Sequence, residues 1–84
     1  MPNPVRRGAQ FIFDLQRVAD IDFTIFDSQG RRTRVLDSGS QVPGRHMLNW
    51  DGRDEAGQLT PSGIYFYRLS IEGRQLNGRF SVAR

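Results

Sequence analysis

The stretch Ile64-Tyr65-Phe66-Tyr67-Arg68-Leu69-Ser70-Ile71 decides the architecture of this chain. Tyr65, Tyr67, Leu69 and Ile71 alternate with Ile64, Phe66, Arg68 and Ser70. Successive side chains of a strand point to opposite faces, so a period of two in aromatic and branched residues marks a half-buried strand. Pro61-Ser62-Gly63 precedes the run and Glu72-Gly73 follows it, so turn chemistry bounds the strand on both sides.

The same grammar extends outward. Downstream, Arg74 to Ala83 forms a final run in which Gly78 marks a bulge or a close contact. Upstream, His46, Leu48 and Trp50 share one face with Met47 and Asn49 opposite, and Asp51-Gly52 and Ala56-Gly57 bracket a turn. Further back, Phe11, Phe13 and Leu15 alternate, as do Ile21, Phe23 and Ile25, which run into the turn Asp27-Ser28-Gln29-Gly30. Arg31 to Leu36 continues that hairpin, with Thr33 and Val35 on one face and Arg32 and Arg34 on the other. Asp37-Ser38-Gly39-Ser40 and Pro43-Gly44 read as a longer loop. No stretch shows a helical period. Short runs with turns every ~8–12 residues predict an all-β chain, an immunoglobulin-like β-sandwich of about seven short antiparallel strands. Residues 1–9, with Pro2, Pro4 and the Arg6-Arg7-Gly8 cluster, read as a linker and domain entry running into the first strand, and residues 10–84 as the sandwich domain.

Composition narrows the chemistry. At 84 residues the chain is one domain. Phe, Leu, Ile and Val make up 22 of the 84 residues, enough for one compact core but not for a deep catalytic cavity besides. There is no cysteine, which excludes disulfides and thiolate metal sites. All twelve basic residues are arginine, which excludes Lys–Asn isopeptide cross-links and lysine-nucleophile chemistry. The net charge of +3 and pI near 10.6 permit weak attraction to polyanions without specifying nucleic acid. No apolar run approaches the ~18 residues that a membrane helix needs, and Met-Pro-Asn-Pro does not read as a signal peptide.

The side chains that could carry chemistry have plainer readings. His46 is the sole histidine and shares a face with Leu48 and Trp50, so it reads as a packed residue. Asp51, Asp54 and Glu55 invite a calcium reading, but the EF-hand spacing is not met and Arg53 intervenes; Asx turns explain Asp51 and Asp54 more simply. Arg31-Arg32-Thr33-Arg34 reads as a solvated face that protects a strand edge, with binding to anionic glycans or lipids as the alternative. No catalytic residue, metal site or cofactor is expected.

In order along the chain come Asn3-Pro4, Phe26-Asp27-Ser28-Gln29-Gly30-Arg31, Gly44-Arg45-His46 and Trp50-Asp51-Gly52-Arg53-Asp54-Glu55-Ala56-Gly57. Ser62-Gly63-Ile64-Tyr65-Phe66-Tyr67-Arg68-Leu69 and the ending Arg79-Phe80-Ser81-Val82-Ala83-Arg84 follow. This series resembles the C-terminal sorting domains of cargo proteins of the bacterial type IX secretion system. Through its Trp-Asp-Gly-Arg-Asp and Gly-x-Tyr core it is equally similar to the immunoglobulin-like domain of the flagellar hook-capping protein. The resemblance implies a mainly structural signature at Trp50, Asp51, Gly52, Asp54, Gly57, Gly63 and Tyr65, with Trp50 plugging one end of the sandwich. It further implies that Arg79, Val82 and Arg84, matching a basic-x-x-Val-x-basic ending, are the sorting signal. Val5 stands where the family commonly has Phe, and arginine replaces lysine at the end. Such tails mark an attached protein for passage through the periplasm and across the outer membrane. The implied partners are outer-membrane secretion machinery and an upstream cargo domain, with no nucleic acid expected as a partner and the isolated domain being a monomer. The implied location is secreted or cell-surface. The alternatives are a structural module of a flagellar hook cap or other extracellular assembly, and an accessory glycan-binding module of a secreted enzyme. Arginine changes at positions 79 and 84 are expected to leave stability almost unchanged.

Overall fold

The computed structural model describes residues 8–84, and every regular element within them is a strand. They are β1 (Ala9–Leu15), β2 (Ala19–Phe26), β3 (Arg32–Gln41), β4 (Gly44–Trp50), β5 (Gly63–Ile71) and β6 (Arg74–Val82). β1 pairs with β4 in one sheet, and β3-β2-β5-β6 form the other; all pairings are antiparallel. No helix among the described residues is long and apolar enough to cross a membrane.

The deciding stretch takes the place its alternation dictates. β5 lies inside the four-stranded sheet, burying Tyr65 and Leu69 and half-burying Tyr67 and Ile71, while Ile64, Phe66 and Arg68 face solvent. Ile71-Glu72-Gly73-Arg74 closes the β5–β6 hairpin with Glu72 at φ 48 and Gly73 at φ 84, the doubly positive turn that matches strand twist. A non-glycine residue tolerates that conformation here because Glu72 is tied twice to β2. Its N–H donates to Asp20 O at 3.1 Å, and its Oε1 accepts from Asp20 N at 2.9 Å.

The core is a chain of aromatic rings that joins the two sheets. Phe11 on β1 meets Phe23, Tyr67 and Phe80 at ring-centre distances of 4.7, 5.2 and 5.6 Å. Ile25 is fully buried behind them, and Phe23 and Trp50 are nearly so. Gly78 lies opposite Tyr67 in unbroken register, and a methyl group there would overlap the Tyr67 ring. The glycine is a close contact and not a bulge.

Among the described residues the strands number six, in keeping with a sandwich of about seven short strands, and residues 51–62 close with only an isolated Arg53–Leu59 bridge. Two expectations are corrected, for residues 37–40 and for the arginines of β3. Asp37-Ser38-Gly39-Ser40 is not loop: β3 runs on to Gln41, and Ser38, Gly39 and Ser40 pair with Asp22, Ile21 and Asp20. The pairing of β2 with β3 shifts register between Phe23 and Thr24 and again between Ile25 and Phe26. As a result Arg32 stands opposite Phe26 and Arg34 opposite Ile25, so these two arginines lie on opposite faces of the sheet. At the entry to the domain, residues 8 and 9 already engage the fold. Ala9 is already strand, buried and paired with Trp50, and Gly8 is pressed against the Trp50 backbone. The linker reading of residues 1–7, and with it Asn3-Pro4 and Val5, lies outside the described residues.

Candidate functional site

The signature residues converge at one end of the sandwich. Trp50 is the last residue of β4 and is 2% exposed, its ring centre 5.8 Å from that of Tyr65 and 5.6 Å from that of Phe80. Its indole N–H donates to Arg53 O at 2.9 Å, so the one polar atom of the plug is satisfied. Tyr65 donates its hydroxyl to Pro61 O at 2.8 Å, four residues back, tying the start of β5 to the preceding loop. Immunoglobulin sandwiches use the same device at a strand corner.

Between Trp50 and Tyr65, backbone and carboxylates organise the loop. Asp51 Oδ1 accepts from Arg53 N at 3.0 Å, and Asp54 Oδ1 accepts from Ala56 N and Gln58 N, both at 3.0 Å. These are the Asx turns the sequence implies. The Asp54 turn repeats, bond for bond, the turn that opens β3. In both, the aspartate N–H donates to the carbonyl four residues on at 2.9 Å, and the glycine N–H returns to the aspartate carbonyl at 3.0 Å. Asp27 Oδ1 accepts from Gln29 N and Arg31 N at 2.9 Å, as Asp54 Oδ1 does from its own neighbours. Gly30 at φ 81 and Gly57 at φ 82 take the left-handed position that each turn needs. The Arg31 backbone N–H holds the Asp27 carboxyl below its ordinary value, and the Arg31 side chain adds to the effect. Asp54 Oδ1 is thus committed to two N–H groups that shape the loop. Among the described residues no cluster of His, Asp or Glu is arranged to hold a metal ion.

The residues of the basic ending fall into three environments. Arg79 is exposed on the outer face of β6, opposite Phe66. Val82 is buried at 3% exposure opposite Gly63 and belongs to the core. Arg84 is a clamp: Nε donates to Thr60 O at 2.7 Å, and Nη2 donates to Gly52 O at 2.9 Å and to Thr60 Oγ1 at 3.2 Å. Its backbone N–H donates to Ser62 Oγ at 2.9 Å. The expectation that position 84 is energetically silent is therefore corrected, since its guanidinium stitches the chain's last residue to the signature loop.

His46 stacks on Phe13 with ring centres 5.3 Å apart and donates from Nε2 to Val42 O at 2.7 Å, a packed structural position. The Arg31–Arg34 cluster is dispersed by local pairing. Arg31 bonds Asp27 at 2.9 Å, Arg34 bonds Asp51 at 3.2 Å across the sheet end, and Arg32 faces outward. What sequence reasoning missed is the company Arg32 keeps. Registers place Arg32, Phe26, Phe66 and Arg79 in one row across β3, β2, β5 and β6. The signal was present as Phe26 and Phe66, apolar residues standing on the polar face of their strands.

An immunoglobulin-like sandwich whose loop end is fastened by a tryptophan plug, a tyrosine tie and twin aspartate turns is the class this geometry defines. The sequence model of the FlgD Ig-like domain matches residues 6–75, and the chain belongs to that family. It is 39% identical over 56 residues to the basal-body rod modification protein FlgD of Salmonella typhimurium, a match spanning 66% of this chain and 24% of that protein. The chain thus spans about a quarter of that relative's length. Among solved structures, the latent dimeric PorU of Porphyromonas gingivalis matches with TM-score 0.77 at 23% identity, over 99% of this chain and 9% of that one. FlgD of P. aeruginosa matches with TM-score 0.62 at 22% identity, over 88% and 59%. PorZ, a bacterial surface component of the type IX secretion system of P. gingivalis, matches with TM-score 0.62 at 26% identity, over 99% and 11%. PorU and the P. aeruginosa FlgD share the fold with this chain.

Proposed function

We propose that this domain is a non-catalytic module that marks an attached protein for type IX-like secretion through the periplasm and attachment at the cell surface. The observation that supports this most is the likeness to PorZ: 99% of this chain aligns with 11% of a type IX surface component at 26% identity. A small domain matched end to end within a much larger surface protein is what an appended sorting module resembles. Arg79 on an open face is the residue of the basic ending most available for recognition, while Val82 and Arg84 hold the strand that presents it. The partners in this reading are outer-membrane secretion machinery and a cargo domain upstream. The test is a periplasmic reporter carrying the domain at its C-terminus, expressed in a host with a type IX system. Export of the fusion, with the bare reporter retained, supports the reading; equal retention of both sinks it.

A second reading has its own support. The family match and the 39% identity to a flagellar FlgD favour a permanent structural module of a hook cap or similar assembly. In that case the fusion stays in the periplasm, and the domain is recovered bound to neighbouring subunits of its assembly.

A further inference from the structure

The outer face of the four-stranded sheet carries a surface that folding alone does not call for. Arg32, Phe26, Phe66 and Arg79 stand side by side across all four strands. Three inter-strand gaps make that row about 14 Å wide. Phe66 is 39% exposed, and Ile64 on the same face of β5 is 44% exposed. Arg68 lies on this face too, its guanidinium 4.9 Å from the centre of the Phe26 ring. Among the described residues the ion pairs engage Arg31, Arg34 and Arg45, so Arg32, Arg68 and Arg79 have no carboxylate partner. These three charges stand around exposed rings without a counter-charge, and exposed rings keep apolar surface in water. A partner that brings carboxylates around an apolar centre pairs the charges and covers the rings.

We infer that this face docks an acidic protein surface. The inference rests on the reading of the domain as an appended recognition module and names the chemistry of what it recognises. Arginine and aromatic residues are the side chains that dominate protein interfaces, and the planar guanidinium fork matches a carboxylate with two parallel hydrogen bonds. Single-stranded nucleic acid binds to sheets through successive free rings on which bases stack. Here the Arg68 guanidinium already lies against the Phe26 ring, which leaves Phe66 alone as a free platform. The charge and the flat apolar centre remain, and both suit a folded acidic partner.

The test is an NMR titration of the whole chain at low salt with three probes: a synthetic peptide of alternating Glu and Phe, a heparin fragment and oligothymidylate. The peptide is expected to shift the amides of residues 26, 32, 66, 68 and 79, with binding that weakens as salt rises. Arg32→Glu combined with Arg79→Glu is expected to weaken peptide binding by about tenfold or more, since reversed charges meet the carboxylates. Both side chains are exposed, so that variant keeps its melting temperature within about 2 °C. Equal binding by the reversed variant, shifts confined to another face, or tighter binding of heparin or oligothymidylate at this face each overturn the inference. The export assay separates it from the sorting reading. A fusion that is not exported, with peptide binding still sensitive to charge reversal, removes sorting and leaves the acidic-partner surface. An exported fusion whose domain ignores the peptide removes the surface and leaves sorting.

Discussion

Replacing Arg84 with alanine takes a guanidinium out of the signature loop, and the structure shows what remains. The Gly52 carbonyl keeps two donors, Thr60 N at 2.9 Å and Thr60 Oγ1 at 3.0 Å. The Thr60 carbonyl loses the Nε donor that reached it at 2.7 Å, and Thr60 itself is only 5% exposed. Hydrogen bonds to charged groups contribute about 1.5–3 kcal/mol, and Arg84 is partly solvated, so the expected loss is about 1.5–2 kcal/mol. That is a large share of the roughly 4–13 kcal/mol available to a domain of this length. With a urea slope of about 1 kcal/mol/M, the unfolding midpoint should fall by about 1.5–2 M with the slope unchanged. Arg84→Lys should recover less than half of the loss, because an ammonium lacks the planar fork whose Nε and Nη2 reach the Thr60 and Gly52 carbonyls separately. Arg79→Ala, on the open face, should shift stability by less than about 0.5 kcal/mol. A loss below about 0.5 kcal/mol for Arg84→Ala would refute the clamp and leave Arg84, which is exposed, as a recognition residue.

Trp50→Ala removes the plug between Tyr65 and Phe80 and should cost about 3–5 kcal/mol in urea melts; a change under about 1 kcal/mol would mean that Trp50 does not close the sandwich. Gly78→Ala drives a methyl group into the Tyr67 ring and should cost about 1–3 kcal/mol, with altered Tyr67 ring resonances; unchanged stability would show that the ring yields freely. The Asp27 carboxyl titrates below its ordinary value of 3.8 in the folded state, chiefly through the Arg31 N–H. Its contribution is therefore complete at pH values above that ordinary value and is lost as pH falls through the lowered one. Carboxyl-carbon NMR of Asp27 should show the depressed midpoint, and an ordinary midpoint would remove the turn's electrostatic role.

Legibility in the sequence followed the strength of the alternation. β5 was readable because both its faces are unambiguous, and Trp50 because a large ring at the end of an alternating run has one place to go. The signature loop was readable through its Asp-Gly chemistry, which acts within a few residues. β3 was not, because Asp37 to Ser40 has turn composition and becomes strand only when β2 supplies the partner, a tertiary effect that overrides local propensity. The bulges that part Arg32 from Arg34 arise from that same pairing. Arg84 misled for a related reason: its carbonyl partners lie 24 and 32 residues back, and only the fold brings them beside this exposed side chain. The Arg32–Phe26–Phe66–Arg79 row has four members on four strands, so only the register assembles it.

The central functional claim is that this domain carries an export address, and one measurement bears on it most directly. A reporter with the domain at its C-terminus is expressed in matched strains with and without type IX machinery, and its surface and medium fractions are quantified. The sorting account predicts export only where the machinery is present. It further predicts that Arg79→Ala, which leaves the fold intact, lowers the exported fraction. Retention in the periplasm of both strains, with the domain folded and bound to its neighbours, contradicts sorting and supports a permanent structural module.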